Sequence, residues 1–167
     1  MSINSKHSQS INNLENVLII GNGGRENSLA WAIQKNESVQ KIYLIPGNAG
    51  SKTINKCERV FLDIYNEKEL IKKLAFLDIH LIIIGPEIPL SLGLGDILRK
   101  NKFSVFGPNK DGARLEFSKS WAKEFMQNAD IPTAKFWKVD SLKQAKEVIY
   151  SSPSPLVVKA DGLASGK

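Results

Sequence analysis

Only one cysteine, Cys57, occurs among the 167 residues, which excludes an internal disulfide and favours a reducing compartment over a secreted scaffold. Cys57 lies in a polar stretch with Lys56, Glu58 and Arg59. No base is identifiable beside it, so it reads as a surface or edge-strand residue and not as a nucleophile. Long apolar runs are also missing: nothing approaches the ~18 consecutive apolar residues of a membrane span. Residues 1–15 are rich in Ser, Asn and Gln and lack both the apolar core of a signal peptide and the arginines of a transit peptide. They are expected to form a disordered tail. The net charge is +6, but residues such as Lys35, Lys41, Lys52 and Lys100 are interleaved with acids and form no basic stripe of the kind that binds nucleic acid. The expected partner is an anionic small molecule, with neither nucleic acid nor membrane involved, in a cytoplasmic protein.

What is present is a succession of short apolar runs, each closed by Gly or Pro and followed by a stretch of helical period. Val17–Ile20, Lys41–Ile45, Arg59–Leu62, His80–Ile84 and Ser104–Phe106 read as strands. Glu26–Gln34, Asn66–Phe76 and Leu90–Lys100 read as the helices between them, with Leu29, Ala30 and Ile33 on one face of the first and Leu70, Ile71 and Leu74 on one face of the second. Alternation of this kind gives an α/β fold, a Rossmann-like parallel sheet covered by helices on both sides, over residues 16–115. Beyond it, helices are expected at Ser118–Asn128, with Trp121, Phe125 and Met126 at core spacing, and at Ser141–Tyr150. Strands are expected at Lys135–Val139 and Pro155–Lys159. A final strand followed by a glycine loop leaves an apolar face without a partner, so residues 116–167 read as the opening of a larger, incomplete domain.

Four of the expected strands run into glycine- or proline-containing turns: Gly21-Asn22-Gly23-Gly24-Arg25, Pro46-Gly47-Asn48-Ala49-Gly50, Gly85-Pro86-Glu87-Ile88-Pro89 and Gly107-Pro108-Asn109. In a parallel sheet all carboxyl strand ends share one edge, and ligands bind there, so these turns are expected to converge. The first opens a helix, whose unpaired N–H groups and dipole suit a phosphate, with Arg25 adding a positive charge. A dinucleotide site would carry Gly or Ala at the sixth position and an acid about twenty residues later; this chain has Glu26 and a second strand ending Ile45-Pro46-Gly47. The last loop, Gly162-Leu163-Ala164-Ser165-Gly166-Lys167, misses the P-loop spacing. It remains a glycine loop behind Lys159, an arrangement suited to polyphosphate.

Taken together, Gly21-Asn-Gly-Gly-Arg-Glu26, Pro46-Gly-Asn-Ala-Gly50, Gly85-Pro-Glu87, Gly107-Pro108, Glu116-Phe-Ser-Lys119, Ile131-Pro-Thr-Ala134 and Val157-Val-Lys-Ala-Asp-Gly-Leu-Ala-Ser-Gly-Lys167 resemble, in order, the amino-terminal part of the glycinamide ribonucleotide synthetases. The resemblance covers residues 16–167. It implies a pre-ATP-grasp domain followed by the truncated start of an ATP-grasp domain. The implied reaction joins glycine to 5-phosphoribosylamine with ATP as substrate, through a glycyl phosphate, yielding glycinamide ribonucleotide, ADP and phosphate in purine biosynthesis. It further implies Mg or Mn, with the metal ligands and the catalytic groups lying downstream of Lys167. Asn22, Gly23, Gly24, Arg25, Asn48 and Glu87 are implied to contact phosphoribosylamine, Glu87 at the ribose or the amine. Lys119, Lys159, Gly162, Gly166 and Lys167 are implied to contact ATP. One departure stands out: Asn27 occupies a position that is usually His in the family, and Asn cannot titrate near neutrality.

On this reading the enzyme works as a monomer, and residues 1–167 by themselves are expected to lack ligase activity. Two other readings compete. One is a stand-alone module that binds a phosphosugar or nucleotide. The other is a nicotinamide-dependent oxidoreductase, which Glu26 and the missing acid disfavour.

Overall fold

The structure, a computed structural model, describes residues 14–163. The expected tail up to residue 13, together with Gly166 and Lys167, lies outside the described residues. Two compact units divide at Asp111 and Gly112.

The first unit is built on five parallel strands in the order β3-β2-β1-β4-β5, where β1 is Asn16–Gly21, β2 Lys41–Pro46, β3 Cys57–Arg59, β4 Leu81–Ile84 and β5 Val105–Phe106. In the register Ile19 lies beside Leu44 and Ile83, and Ile20 beside Ile45 and Ile84. Successive side chains point to opposite faces, so the runs Val-Leu-Ile-Ile and Leu-Ile-Ile-Ile fill both. Val17, Ile19, Ile42, Leu44 and Ile83 share one cluster with Ala30 of the helix α1, Gly24–Ile33. Leu18 and Ile20 are equally inaccessible on the other face. Each such side chain, fully buried, contributes about 1.5–3 kcal/mol.

Helix α2, Glu67–Phe76, begins at Asn66, whose side chain accepts a hydrogen bond from the Glu69 N–H, and it buries Leu70 and Leu74. The single helix expected over Leu90–Lys100 is two, α3 Glu87–Ser91 and α4 Leu94–Lys100. Gly93 breaks the run at φ +90°, a left-handed conformation that glycine adopts without a side-chain penalty. The third strand falls two residues earlier than expected, because Ile42 pairs with Cys57 and Leu44 with Arg59.

Helix α5, Lys110–Phe117, was not foreseen; it carries Gly112 and spans the division between the units. In the second unit, α6 runs Lys119–Asn128 with Ser118 as its cap, and α7 runs Leu142–Ser151 with Ser141 as its cap. Trp121 and Phe125 stack with ring centroids 5.3 Å apart, but Phe125 is exposed and Ala122 is the buried residue of that helix. The expected strands at 135–139 and 155–159 do not form: both segments are irregular. A strand exists through hydrogen bonds to a neighbour, and the described residues offer neither segment one.

Candidate functional site

The carboxyl ends of β1, β2, β4 and β5 lie on one edge of the sheet, and hydrogen bonds join the first three turns directly. The Gly47 N–H donates to the Gly21 carbonyl at 3.1 Å, and the Gly85 N–H to the Ile20 carbonyl at 3.0 Å. Asn48 reaches across from the second turn to the first, its Nδ2 donating to the carbonyls of Asn22 (2.9 Å) and Gly23 (3.3 Å). Arg25 reaches to the third turn, with Nη1 on the Gly85 carbonyl at 2.7 Å and Nη2 on Glu87 Oε1 at 2.9 Å. The fourth turn is held separately. Arg99 of α4 donates to the Gly107 carbonyl, and Gly107 packs toward Leu90 and Ile84.

Asn22, Gly23, Gly24, Arg25, Asn48 and Glu87 are thus brought together around the start of α1. The electrostatics differ from a plain cationic pocket. Glu87 is paired with Arg25, and its own backbone N–H, followed by the Arg25 hydrogen bond, holds its carboxyl below the usual range. Both side chains are more than a third exposed, so the pair adds little to stability; what the fork supplies is a fixed position for the guanidinium. The Gly23 N–H is already committed, donating to Glu26 Oε2 at 2.7 Å. At a helix start an anion meets first-turn N–H groups, and the Gly23 N–H is not among the donors on offer.

Three residues near this edge, Glu26, Ser51 and Asn27, matter more than their sequence positions suggested. Glu26 is 4% exposed, and a Cβ on Gly21 would sit 2.6 Å from its carboxyl carbon. The spacing carried only half of a capping-box signal, Glu three residues after the cap position, because Gly23 has no side chain to answer it. Ser51 is also buried; its hydroxyl donates to Asn27 Oδ1 at 3.0 Å and accepts from the Asn48 N–H at 3.1 Å. Asn27 is therefore a link between α1 and the second turn. Cys57 is half-buried on β3 at the sheet edge, and burial pushes its thiol up to about 11. Such a thiol is a poor nucleophile near neutrality.

In the second unit the Lys119 Nζ donates to the Gly162 carbonyl at 2.7 Å, which puts the expected lysine against the expected glycine turn. Gly162 has φ +102° and open space around its Cα. Asp161 anchors this contact. Its carboxylate accepts from the Lys119 N–H (2.6 Å), the Ser120 hydroxyl (2.6 Å) and the Gly162 N–H (3.1 Å) at the start of α6. These bonds, the Ser120 hydroxyl foremost, hold the carboxyl at about 2. Lys159 is exposed in an irregular segment, so it does not lie on a strand beneath the loop as expected. Among the described residues no group of three or more His, Cys, Asp or Glu side chains is placed to hold a metal ion. No described helix is long and apolar enough to cross a membrane.

Solved structures of low sequence identity share this fold. The biotin carboxylase domain of the Hydrogenobacter thermophilus 2-oxoglutarate carboxylase has a TM-score of 0.60 at 15% identity, over 84% of this chain and 33% of that one. Glycinamide-RNase-transformylase T from Mycobacterium tuberculosis has a TM-score of 0.58 at 16% identity, over 84% of this chain and 40% of that one. The class these likenesses define is an α/β fold built on a parallel sheet. Residues 15–116 match the family model described as phosphoribosylglycinamide synthetase, N domain, and residues 117–167 match the one described as phosphoribosylglycinamide synthetase, ATP-grasp (A) domain. The chain belongs to the phosphoribosylglycinamide synthetase family. It is 41% identical over 151 residues to the phosphoribosylamine–glycine ligase of Nostoc sp., covering 90% of this chain and 36% of the relative. It is 43% identical over 155 residues to the trifunctional purine biosynthetic protein adenosine-3 of Drosophila melanogaster, covering 90% of this chain and 12% of the relative. The chain therefore spans little more than a third of even the shorter of these two relatives.

Proposed function

We propose that this chain supplies the phosphoribosylamine-binding edge and the first ATP-contacting residues of a ligase that joins glycine to 5-phosphoribosylamine. The observation that carries this is the cradle made by three strand-end turns, tied together by Asn48 and Arg25 at the first turn of α1. A phosphate seats on first-turn N–H groups beside the Arg25 guanidinium. Glu87, fixed by that same arginine, is at hand for the ribose or the amine. In the overall reaction the γ-phosphoryl group of ATP passes to the glycine carboxylate, and the amine of phosphoribosylamine then displaces phosphate from the acyl carbon.

Lys119 and Lys159 contribute positive charge to the ATP phosphates, and the turn beginning at Gly162 covers them. A divalent cation, Mg or Mn, would neutralise phosphate charge in such a reaction, but the described residues offer no cluster of ligands for one, and no step is assigned to it. We take residues 16–115 as the phosphoribosylamine domain and 116–167 as the start of the ATP domain, of a cytoplasmic monomer. Without further residues the chain should not turn over.

The test separates the two substrates in the full-length enzyme. Glu87→Ala should raise the phosphoribosylamine requirement with ATP affinity nearly intact, and Lys159→Ala should weaken ATP by about tenfold or more, the value of a charge-assisted contact. Equal loss of ATP affinity in both variants would sink the assignment.

A further inference from the structure

Glu26 is an acid buried at the floor of a site built for an anion, an arrangement that needs a reason. Its Oε2 accepts the Gly23 N–H at 2.7 Å. The rest of the carboxylate fills the space that both Gly21 and Gly85 leave open by lacking a Cβ: a Cβ on Gly21 would come within 2.9 Å of Oε2, and one on Gly85 would overlap Oε1. Gly21 ends β1 at φ +133°, and Gly85 follows β4 and supplies the carbonyl that Arg25 grips. One side chain therefore contacts the first turn at two residues and the third turn at one, from inside the protein. It carries no contact to solvent-borne ligands, because it is 4% exposed.

We propose that Glu26 is a positioning residue for phosphate capture: it withdraws the Gly23 N–H from the anion-binding set and fixes the distance between the first and third turns, so that Arg25 and the following N–H groups meet the phosphate already aligned. This rests on the reading of the first turn as a phosphate site. The negative charge itself is a disadvantage there, since it opposes the incoming anion. The benefit lies in the shape of the side chain and in one hydrogen bond, so the isosteric amide should retain it.

The experiment is calorimetric titration of the chain with ribose 5-phosphate at low temperature, where circular dichroism verifies that every variant keeps its native fold. Glu26→Gln should bind within about threefold of the unaltered chain or more tightly, and Glu26→Ala should bind about tenfold more weakly or worse, because the first and third turns, and with them Arg25, are then no longer held in register. A residue that only stabilised the fold would lower the melting temperature without changing affinity among folded molecules. Should Glu26→Ala fail to fold, Gly85→Ala crowds the same carboxylate and should weaken binding in the same way. Unchanged affinity in both Glu26→Ala and Gly85→Ala overturns the positioning role. Absence of binding by the unaltered chain overturns the phosphate reading and the role together.

Discussion

Replacing Asp161 by alanine removes the carboxylate that holds Gly162 to the start of α6. In the folded chain this group accepts hydrogen bonds from two hydroxyls and three backbone N–H groups. They lower its titration from an ordinary 3.8 to about 2. A folded value below the unfolded one means that the stabilisation is fully present above pH 3.8 and is lost as the pH falls through about 2. A shift of this size converts to about 2.5 kcal/mol at full strength, but the side chain is exposed, and solvent screening reduces it to about 1 kcal/mol. That is also the usual worth of an N-cap. Amide exchange at Lys119 and Ser120 should accelerate about fivefold in Asp161→Ala, with the amides of β1 and β4 unchanged. A carbon-detected titration of the unaltered chain should find the Asp161 carboxyl still ionised well below pH 3.8. A midpoint at the ordinary aspartate value, or unchanged exchange at Lys119, would refute the account of this contact.

Other expectations follow from single contacts. Cys57, with its thiol pushed up to about 11, should react with iodoacetamide about a hundredfold more slowly than a free cysteine at mildly alkaline pH; labelling at the free rate would contradict its burial. Gly50→Ala would drive a Cβ into the Asn27 amide and so disturb the Asn27–Ser51–Asn48 chain, costing about 1–3 kcal/mol in a denaturant melt; no change in midpoint would show that the turn yields freely. Arg25→Lys cannot reproduce the fork on Gly85 and Glu87. It should weaken ribose 5-phosphate binding nearly as much as Arg25→Ala, and full retention of affinity by lysine would mean that only the charge matters.

The centre of the sheet was legible because its strands bury both faces: Val17–Ile20 and Leu81–Ile84 have no polar residue to confuse the period. Caps at Asn66 and Ser141 were legible too, since a short oxygen-bearing side chain before a helical stretch has few other uses. What escaped depends on tertiary partners. The break at Gly93 is invisible in a helical hydrophobic pattern, because only the observed φ distinguishes it from a tolerated helix glycine. Strands at 135–139 and 155–159 have suitable composition, but pairing is decided by a neighbour, and neither segment finds one among the described residues. At the site, the residue types and their common edge were readable from the order of turns. The pairing of Arg25 with Glu87, the capture of the Gly23 N–H by Glu26 and the seat of Asp161 on α6 were not, because each joins positions through side-chain geometry.

The central claim is that a ribose phosphate binds at the edge formed by the first three turns. Amide chemical shifts followed during titration with glycinamide ribonucleotide test it most directly. Saturable changes are predicted at Asn22, Gly24, Arg25, Asn48 and Glu87, with Lys119 and Gly162 unaffected; changes confined to Lys119 and Gly162, or none in the first unit at saturating ligand, would contradict it.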